Sequence, residues 1–177
     1  KRFNLRRERF ADRIELVAFC LMPNHFHLLL YQHDKEAITA LMRSVATGYA
    51  IYYNKRHDRV GSLFQGKYKA CRINSDSYWT HISRYIHLNP IDLGEDYKSY
   101  EYSSYKYYIG VNATGWVKPE KTLGEFKDAK DYEEFVEEIK KALEKRNIKA
   151  PVYILKADGG TLTIEKSIEF PVETIFS

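Results

Sequence analysis

The chain has few cysteines and no long apolar run, and each shortage argues against a class of protein. Its 177 residues include Cys20 and Cys71, which lie in apolar surroundings without C-x-x-C spacing. This pattern argues against a disulfide framework or a closed zinc site and is typical of reduced core cysteines in a cytosolic protein. No apolar run approaches the roughly 20 residues of a membrane-spanning helix, and no signal peptide is visible.

Internal repeats, low-complexity tracts and clear linkers are also lacking, while apolar residues make up 44% of the chain. This length and composition predict one packed domain of ordinary size. We therefore divide the chain into one domain over residues 1–150 and a C-terminal β-hairpin extension over residues 151–177, packed on the same domain.

The net charge of +4 is modest, but the basic residues are segregated. Residues 1–13 contain six Lys or Arg against two acidic residues, and residues 55–72 contain six against one. The second block is interleaved with Phe64 and Tyr68. Basic and aromatic residues together suit a surface that holds a phosphate backbone and stacks bases, although a solvated basic face has the same composition.

Periodicity predicts the order of the elements. Apolar and β-branched runs predict strands at residues 14–20, 25–31 and 67–73. Helical spacing predicts a long helix from an N-cap at Asp34 to about Tyr53, a second from Asn74 or Ser75 to about Leu88, a short helix within 99–110, and one or two helices within 122–146. The turn Asp158-Gly159-Gly160 predicts the terminal hairpin. The predicted buried stripe of the long helix is Ile38, Leu41, Met42, Val45, Tyr49 and Tyr52.

The segment MPNHFHLLL places two histidines in a predicted strand. Residues i and i+2 of a strand share a face about 6.6 Å apart, so His25 and His27 project together while Phe26 is expected to face the core. Two neutral imidazoles at one point form half of a metal site. Two histidines without any ligand fit the same pattern.

The segment RYIHLNP supplies a candidate partner for these histidines. Tyr85 and Asn89 lie four residues apart on one helical face, and the amide oxygen of Asn89 is a reasonable third ligand for a divalent ion. A core tyrosine and an asparagine that ends a helix are the alternatives. His87 points about 200° away from Tyr85 and is not assigned to the metal. His81, one turn before Tyr85, is a candidate proton acceptor because an unperturbed tyrosine has a pKa near 10.

Four segments in this order, MPNHFHLLL, GSLFQGKYK, RYIHLNP and YSSYKYY, resemble the REP-associated tyrosine transposases over about residues 15–140. These are HUH single-strand DNA transposases with one catalytic tyrosine. The resemblance implies an α+β fold with a ferredoxin-like or RRM-like antiparallel sheet and helices mainly on one face. It also implies that Tyr85 is the nucleophile and that His25, His27 and Asn89 hold Mg²⁺ or Mn²⁺. The family usually begins with a further strand, which is absent or incomplete in residues 1–13.

The activity implied by the resemblance is metal-dependent cleavage and rejoining of single-stranded DNA, at hairpin-forming sequences, through a 5′-phosphotyrosine. The expected protein is a cytoplasmic monomer or homodimer that acts on nucleoid DNA. The alternatives are a domesticated nuclease and a non-catalytic nucleic-acid-binding module on the same fold. The candidate DNA-binding residues are Arg59, Phe64, Lys67, Tyr68, Lys69, Arg72 and Arg84.

Overall fold

The computed structural model describes seven ranges of the chain, namely residues 10–64, 66–70, 72–73, 76–112, 115–146, 153–158 and 161–166. The predicted caps Asn74 and Ser75 and the predicted core residue Cys71 lie outside the described residues.

The described elements follow one another as two strands, five α-helices with a 3₁₀ helix after the second, and a terminal pair of strands. In chain order they are β1 (Ile14–Leu21), β2 (Phe26–Gln32), α1 (Ala37–Arg56), α2 (Asp76–Leu88), the 3₁₀ helix (Asn89–Leu93), α3 (Tyr105–Tyr108), α4 (Glu120–Leu123), α5 (Ala129–Arg146), β3 (Tyr153–Asp158) and β4 (Thr161–Lys166). The predicted α+β class is confirmed, and the terminal hairpin is confirmed by the antiparallel pairing of β3 with β4.

The chain divides into two compact units. The first comprises residues 1–15 and 30–68, and the second comprises residues 16–29 and 69–177. The first unit therefore contains α1, whereas the second contains most of β1, the start of β2 and all later elements.

Strands β1 and β2 form a two-stranded sheet. Backbone bonds from the Met22 N–H to the His25 carbonyl and from the His33 N–H to the Arg13 carbonyl, both 2.9 Å, join the near and far ends of the hairpin, so the two strands run antiparallel. The short turn at Pro23 and Asn24 sets this register. Because of this turn, β2 begins at Phe26, immediately after His25. The turn thereby fixes the face of the hairpin from which His25 and His27 project.

Among the described residues, loop segments rather than a further strand cover the second edge of β1. The Lys118 N–H donates to the Leu16 carbonyl at 2.8 Å, and the Leu21 N–H donates to the Tyr102 carbonyl at 2.8 Å. Isolated bridges from Leu16 to Val117 and from Cys20 to Ser103 lie along the same edge. These contacts satisfy backbone groups that an open edge strand would expose.

The core of the second unit is unusually rich in tyrosine. Four tyrosines are almost fully buried, and they pack with aliphatic residues of β1 and α2. The tyrosines are Tyr97, Tyr105, Tyr108 and Tyr132. Cys20 lies in the same cluster as a buried free thiol whose pKa is raised to about 12 by burial, as expected for a reduced core cysteine.

His87 joins α2 to two other parts of this core. Its Nδ1 is 2.8 Å from the Tyr132 hydroxyl, and its Nε2 is 2.8 Å from Ser104 Oγ. The Ser104 hydroxyl oxygen accepts the Phe19 N–H of β1 at 2.8 Å, and Tyr132 is also 3.0 Å from Ser83 Oγ. Because one imidazole nitrogen donates and the other accepts, the network fixes the rotation of α2 about its axis. Through Ser104, the network also anchors the YSSYKYY segment to β1 and α2.

We expect His87 to make folding sensitive to acid. Burial lowers the pKa of His87 from 6.5 to about 3 in the folded chain. The unfolded chain therefore binds a proton below pH 6.5 that the folded chain does not, and the free energy of unfolding should fall as the pH falls through this window. The His87→Gln variant should lose this pH dependence of the free energy of unfolding. For one proton, it amounts to about 1.4 kcal/mol per pH unit. Urea unfolding between pH 7.5 and 4 measures the slope.

The matched control is His33→Gln, since His33 is exposed and lies after the end of β2. The slope that we attribute to His87 should persist in this variant. Parallel curves for wild type and His87→Gln would contradict the buried, neutral state of His87.

Helix α1 differs from its predicted form. It begins at Ala37 after Glu36, which makes no side-chain cap. Asp34 lies ahead of the helix, where its carboxylate binds the Arg13 guanidinium at 2.7 and 3.0 Å. Of the predicted stripe only Met42 is buried, whereas Tyr49 and Tyr52 are 49% and 57% exposed. The periodicity predicted the helix correctly, but it did not predict which face of the helix is buried.

Two further predictions about the sheet are wrong. Residues 67–70 and 72–73 have no strand structure, so the described part of the chain lacks the predicted third strand there. Phe26 does not face the core, because it is 37% exposed while Leu29, on the histidine side of β2, is 3% exposed. The core of the second unit therefore lies on the same side of β2 as the two histidines.

None of the described helices is long and apolar enough to cross a membrane.

Candidate active site

The two histidines at the start of β2 are held against each other. His25 Nε2 and His27 Nε2 are 3.0 Å apart, and the rings meet edge to face with centroids 4.8 Å apart. His25 Nδ1 is 2.7 Å from Asn24 Oδ1, which orients the ring from behind. The strand geometry therefore produces the predicted pair, and the preceding turn supplies a partner that sequence reasoning did not identify.

Helix α2 presents Tyr85 to this pair. The Tyr85 ring lies edge to face with the His27 ring, with centroids 5.6 Å apart and an interplanar angle of 85°. The hydroxyl oxygen of Tyr85 is buried in this conformation. The tyrosine and the H-x-H histidines of a single chain thus meet within the second unit.

Asn89 lies one turn beyond Tyr85, where α2 changes into the 3₁₀ helix. Pro90 has no N–H to continue the α-helical bonding, and the Asn89 side chain takes up the exposed carbonyls. Asn89 Nδ2 donates to the Tyr85 carbonyl at 2.9 Å and reaches the Ile86 carbonyl at 3.4 Å. With the nitrogen held by the backbone, the amide oxygen is left to accept a hydrogen bond from the His27 ring.

Both histidines favour the neutral form. Burial lowers the pKa of His27 to about 4, helped by the neighbouring His25 and opposed by the hydrogen bond to Asn89. Burial also lowers the pKa of His25, opposed by the negative charge of Asp92. Neutral imidazoles retain the lone pairs that a metal ion requires.

The donor set fits a divalent cation. Two ligands about 2.1 Å from one ion and at a right angle to each other lie about 3.0 Å apart, which matches the separation of the two Nε2 atoms. Imidazole nitrogens suit borderline divalent ions, and an amide oxygen suits the harder ions Mn²⁺ and Mg²⁺. Within the described ranges, no cluster of three or more His, Cys, Asp or Glu could hold a metal. With the Asn89 oxygen as a third ligand, such an ion would still have positions open.

The other two predicted residues of α2 are directed toward α5. The Arg84 side chain is buried, with its guanidinium carbon 3.9 Å from the centre of the Phe135 ring, and Nη2 is 2.7 Å from His81 Nδ1. In this structure the guanidinium faces Phe135 and His81 rather than solvent, and the contact of Arg84 with DNA stays a prediction. Burial and the charge of Arg84 lower the pKa of His81 to about 4, so His81 is a weak base toward a tyrosine.

Four predicted DNA-binding residues, Arg59, Phe64, Lys67 and Tyr68, are exposed in the first unit. Phe64 and Tyr49 have ring centroids 6.3 Å apart, and the Arg59 guanidinium carbon is 5.8 Å from the centre of the Tyr53 ring. The sequence placed Tyr49 in the predicted buried stripe, so Tyr49 was not counted with the basic block. Lys69 and Arg72 are exposed in the second unit.

A comparison with protein-family models identifies the relevant relatives. Residues 8–89 match the IS200-like transposases. The matched range contains β1, β2 and α2, and it ends at Asn89. It therefore includes every residue of the His25–His27–Tyr85–Asn89 cluster and supports a transposase that acts on DNA.

A second family model, hydantoinase/oxoprolinase, matches residues 129–177. The described helix of that range, α5, packs through Tyr132 against Ser83 and His87 of α2. No curated protein and no solved structure matched the chain.

Proposed function

We propose that the protein is a metal-dependent single-strand DNA endonuclease and transposase that cleaves and rejoins DNA through a 5′-phosphotyrosine on Tyr85. The observation that supports this most directly is the contact of the Tyr85 ring with His27, which itself lies against His25. If Tyr85 were only a core residue, two neutral imidazoles would not be required beside it. If the histidines formed only a structural metal site, a tyrosine would not be required next to them.

His25, His27 and Asn89 would hold the divalent ion. When bound, the ion would withdraw charge from a non-bridging phosphate oxygen and so make the phosphorus more electrophilic. The turn at Asn24 and the backbone bonds of the Asn89 amide orient two of these ligands before any ion arrives. Such preorganisation raises affinity because the side chains lose little freedom on binding.

Tyr85 would attack the scissile phosphorus in line. The phenol loses its proton, a bond forms between its oxygen and phosphorus, and the bond to the 3′ oxygen breaks and yields a free 3′-hydroxyl. The phosphotyrosine conserves the bond energy, so another 3′-hydroxyl can reverse the step and join new ends. Because the Tyr85 hydroxyl is buried here, DNA binding must open access to it.

We further propose that the DNA is single-stranded and flanks a hairpin, as in the REP-associated type. The support is the order of the motifs, including YSSYKYY at residues outside the matched range. The exposed basic and aromatic residues that we propose for DNA contact are Arg59, Phe64, Lys67, Tyr68, Lys69 and Arg72. Exposed aromatic rings next to cations favour unstacked bases over duplex DNA.

The test uses a pool of hairpin oligonucleotides with randomised single-stranded flanks and a 3′ label. We expect an SDS-resistant protein–DNA adduct that carries the label with Mn²⁺ or Mg²⁺ and disappears with EDTA. The same sequences annealed as full duplexes are the control and should give little adduct. Binding without any adduct under both metals would contradict the enzyme and support a non-catalytic binding module.

A further inference from the structure

The second half of α1 carries an apolar stripe that is exposed. Met42 is buried, whereas Val45, Tyr49 and Tyr52, which follow it at spacings of three, four and three residues, are exposed. This spacing keeps side chains on one face of a helix. Exposed apolar residues that are contiguous, rather than scattered, mark a surface that binds a partner.

The loop after α1 folds back onto the helix and adds a ring to this stripe. Asn54 Nδ2 donates to the Gly61 carbonyl at 2.8 Å. Gly61 has φ of 96°, a left-handed conformation that glycine adopts without strain. The loop then places the exposed Phe64 ring beside Tyr49, with centroids 6.3 Å apart. A hydrogen bond to α1 itself therefore fixes the position of the loop.

Tyr49 lies at the centre of the resulting aromatic cluster, which comprises Tyr49, Tyr52, Tyr53 and Phe64. The Tyr49 centroid is 6.3 Å from that of Tyr52 and 6.0 Å from that of Tyr53, and the rings are tilted by 34° and 44°. Tyr49, Tyr52 and Phe64 are exposed although they touch one another. Exposed aromatic rings offer faces on which unpaired bases can stack.

The charge around the aromatic cluster has one sign. Helix α1 has no acidic residue in its 20 positions, and its basic residues are Arg43, Lys55 and Arg56, all exposed. Arg56 follows Tyr52 by four residues and so continues the exposed stripe. In the loop, the Arg59 guanidinium carbon lies 5.8 Å from the centre of the Tyr53 ring. The rings are thus bordered by cations.

This charge distribution decides between two occupants. In a two-fold contact between copies of this chain the stripe would meet itself, and its cations would face cations with no acidic residue of α1 to pair with. A single strand of nucleic acid supplies phosphates for the cations and unpaired bases for the rings. A duplex supplies the phosphates but keeps its bases stacked inside. The surface therefore favours a single strand.

We propose that the exposed stripe of α1 and Phe64 form a base-stacking surface for single-stranded DNA, with Tyr49 and Tyr52 against bases and Arg56 against the phosphate backbone. This inference rests on the proposed function, because it takes the DNA substrate as the ligand. It adds residues of α1 to the basic loop and assigns the preference for unpaired bases to the rings. The surface belongs to the first unit, whereas Tyr85 belongs to the second.

The test measures binding of the full chain by fluorescence anisotropy in EDTA, so that no strand is cut. The probes are a labelled single strand of randomised sequence and an abasic strand of the same length, which keeps the phosphates but lacks the bases. Tyr49→Ala and Tyr52→Ala should each raise the Kd for the base-containing strand at least about fivefold, as expected for loss of one stacked base. The Kd for the abasic strand should not change.

Three further variants separate the ring from the charge. Tyr49→Phe keeps the ring and should stay within about twofold of wild type on both strands. Arg56→Gln should weaken binding to both strands and lower the slope of log Kd against log salt concentration by about 0.7. Tyr102→Ala is the matched control, because it removes an exposed tyrosine of the second unit, and it should bind as wild type does. Circular dichroism confirms that each variant is folded.

Three outcomes would overturn the stacking surface. The first is equal affinity of the wild type for the two strands, and the second is an equal loss on both strands in Tyr49→Ala. The third is a wild-type dimer in sedimentation velocity that Tyr49→Ala dissociates without a change in DNA affinity, which would assign the stripe to a second copy of the chain.

The stacking surface and the enzyme can fail separately. Base-dependent binding that Tyr49→Ala weakens, without any covalent adduct in Mn²⁺ or Mg²⁺, would support the surface and contradict the enzyme. Adduct formation together with base-independent binding would overturn the surface and leave the enzyme in place.

Discussion

Tyr85→Phe should eliminate the covalent protein–DNA adduct and reduce strand cleavage at least about a thousandfold. The substitution removes only the hydroxyl, which is the proposed nucleophile, and keeps the ring that lies against His27. The cluster should therefore retain its shape, and Mn²⁺ affinity and hairpin binding should stay within a few-fold of wild type. A single-turnover assay with 3′-labelled hairpin DNA measures the adduct and the cut strand together.

Tyr102→Phe is the matched control, since its side chain is 56% exposed and lies in the Tyr-rich segment after the 3₁₀ helix. It should form the adduct at the wild-type rate. An adduct that persists in Tyr85→Phe and maps to another residue would show that the nucleophile lies elsewhere. Cleavage that persists without any adduct would indicate hydrolysis by water instead of covalent catalysis.

His27→Ala should reduce cleavage at least about a hundredfold and weaken Mn²⁺ binding by a similar factor, while DNA binding changes little. His27 is the member of the pair that touches His25, Tyr85 and Asn89 together, so its loss removes a ligand and the contact that aligns the nucleophile. His25→Ala should have the same direction of effect. Cleavage rates measured over a range of Mn²⁺ concentrations separate weakened metal binding from a lower maximal rate.

His33→Ala serves as the control, because His33 is an exposed histidine after the end of β2 and is paired with Glu15. Its cleavage rate and Mn²⁺ dependence should match wild type. Unchanged cleavage in both His25→Ala and His27→Ala would falsify the metal assignment. A loss of hairpin binding equal to the loss of cleavage would instead place these histidines in DNA recognition.

The local structure around the site was predictable because it depends on short-range periodicity. Alternation along a strand places His25 and His27 on one face, and helical spacing does the same for Tyr85 and Asn89. The same reasoning directed His87 away from the metal, and the structure places it in the core with Tyr132 and Ser104. These results follow from backbone geometry, which is common to all chains.

Predictions that depended on which side of an element is covered were less successful. Tyr49 and Tyr52 have the spacing of a buried stripe but are exposed, and Phe26 has the composition of a core residue but faces away from the core. Arg84, a charged residue next to the proposed nucleophile, lies buried against Phe135. An amphipathic pattern identifies a face but not its partner, because the partner comes from a distant part of the chain.

The sequence by itself determined the pairs, His25 with His27 and Tyr85 with Asn89, since each pair is separated by a fixed number of backbone repeats. Only the tertiary structure decided that the two pairs meet and that the Asn89 amide turns its oxygen toward His27. The physical reason is that these contacts join a strand to a helix about 60 residues later. Their geometry is set by the packing of α2 on the core and by the change of helix type at Pro90, neither of which local spacing specifies.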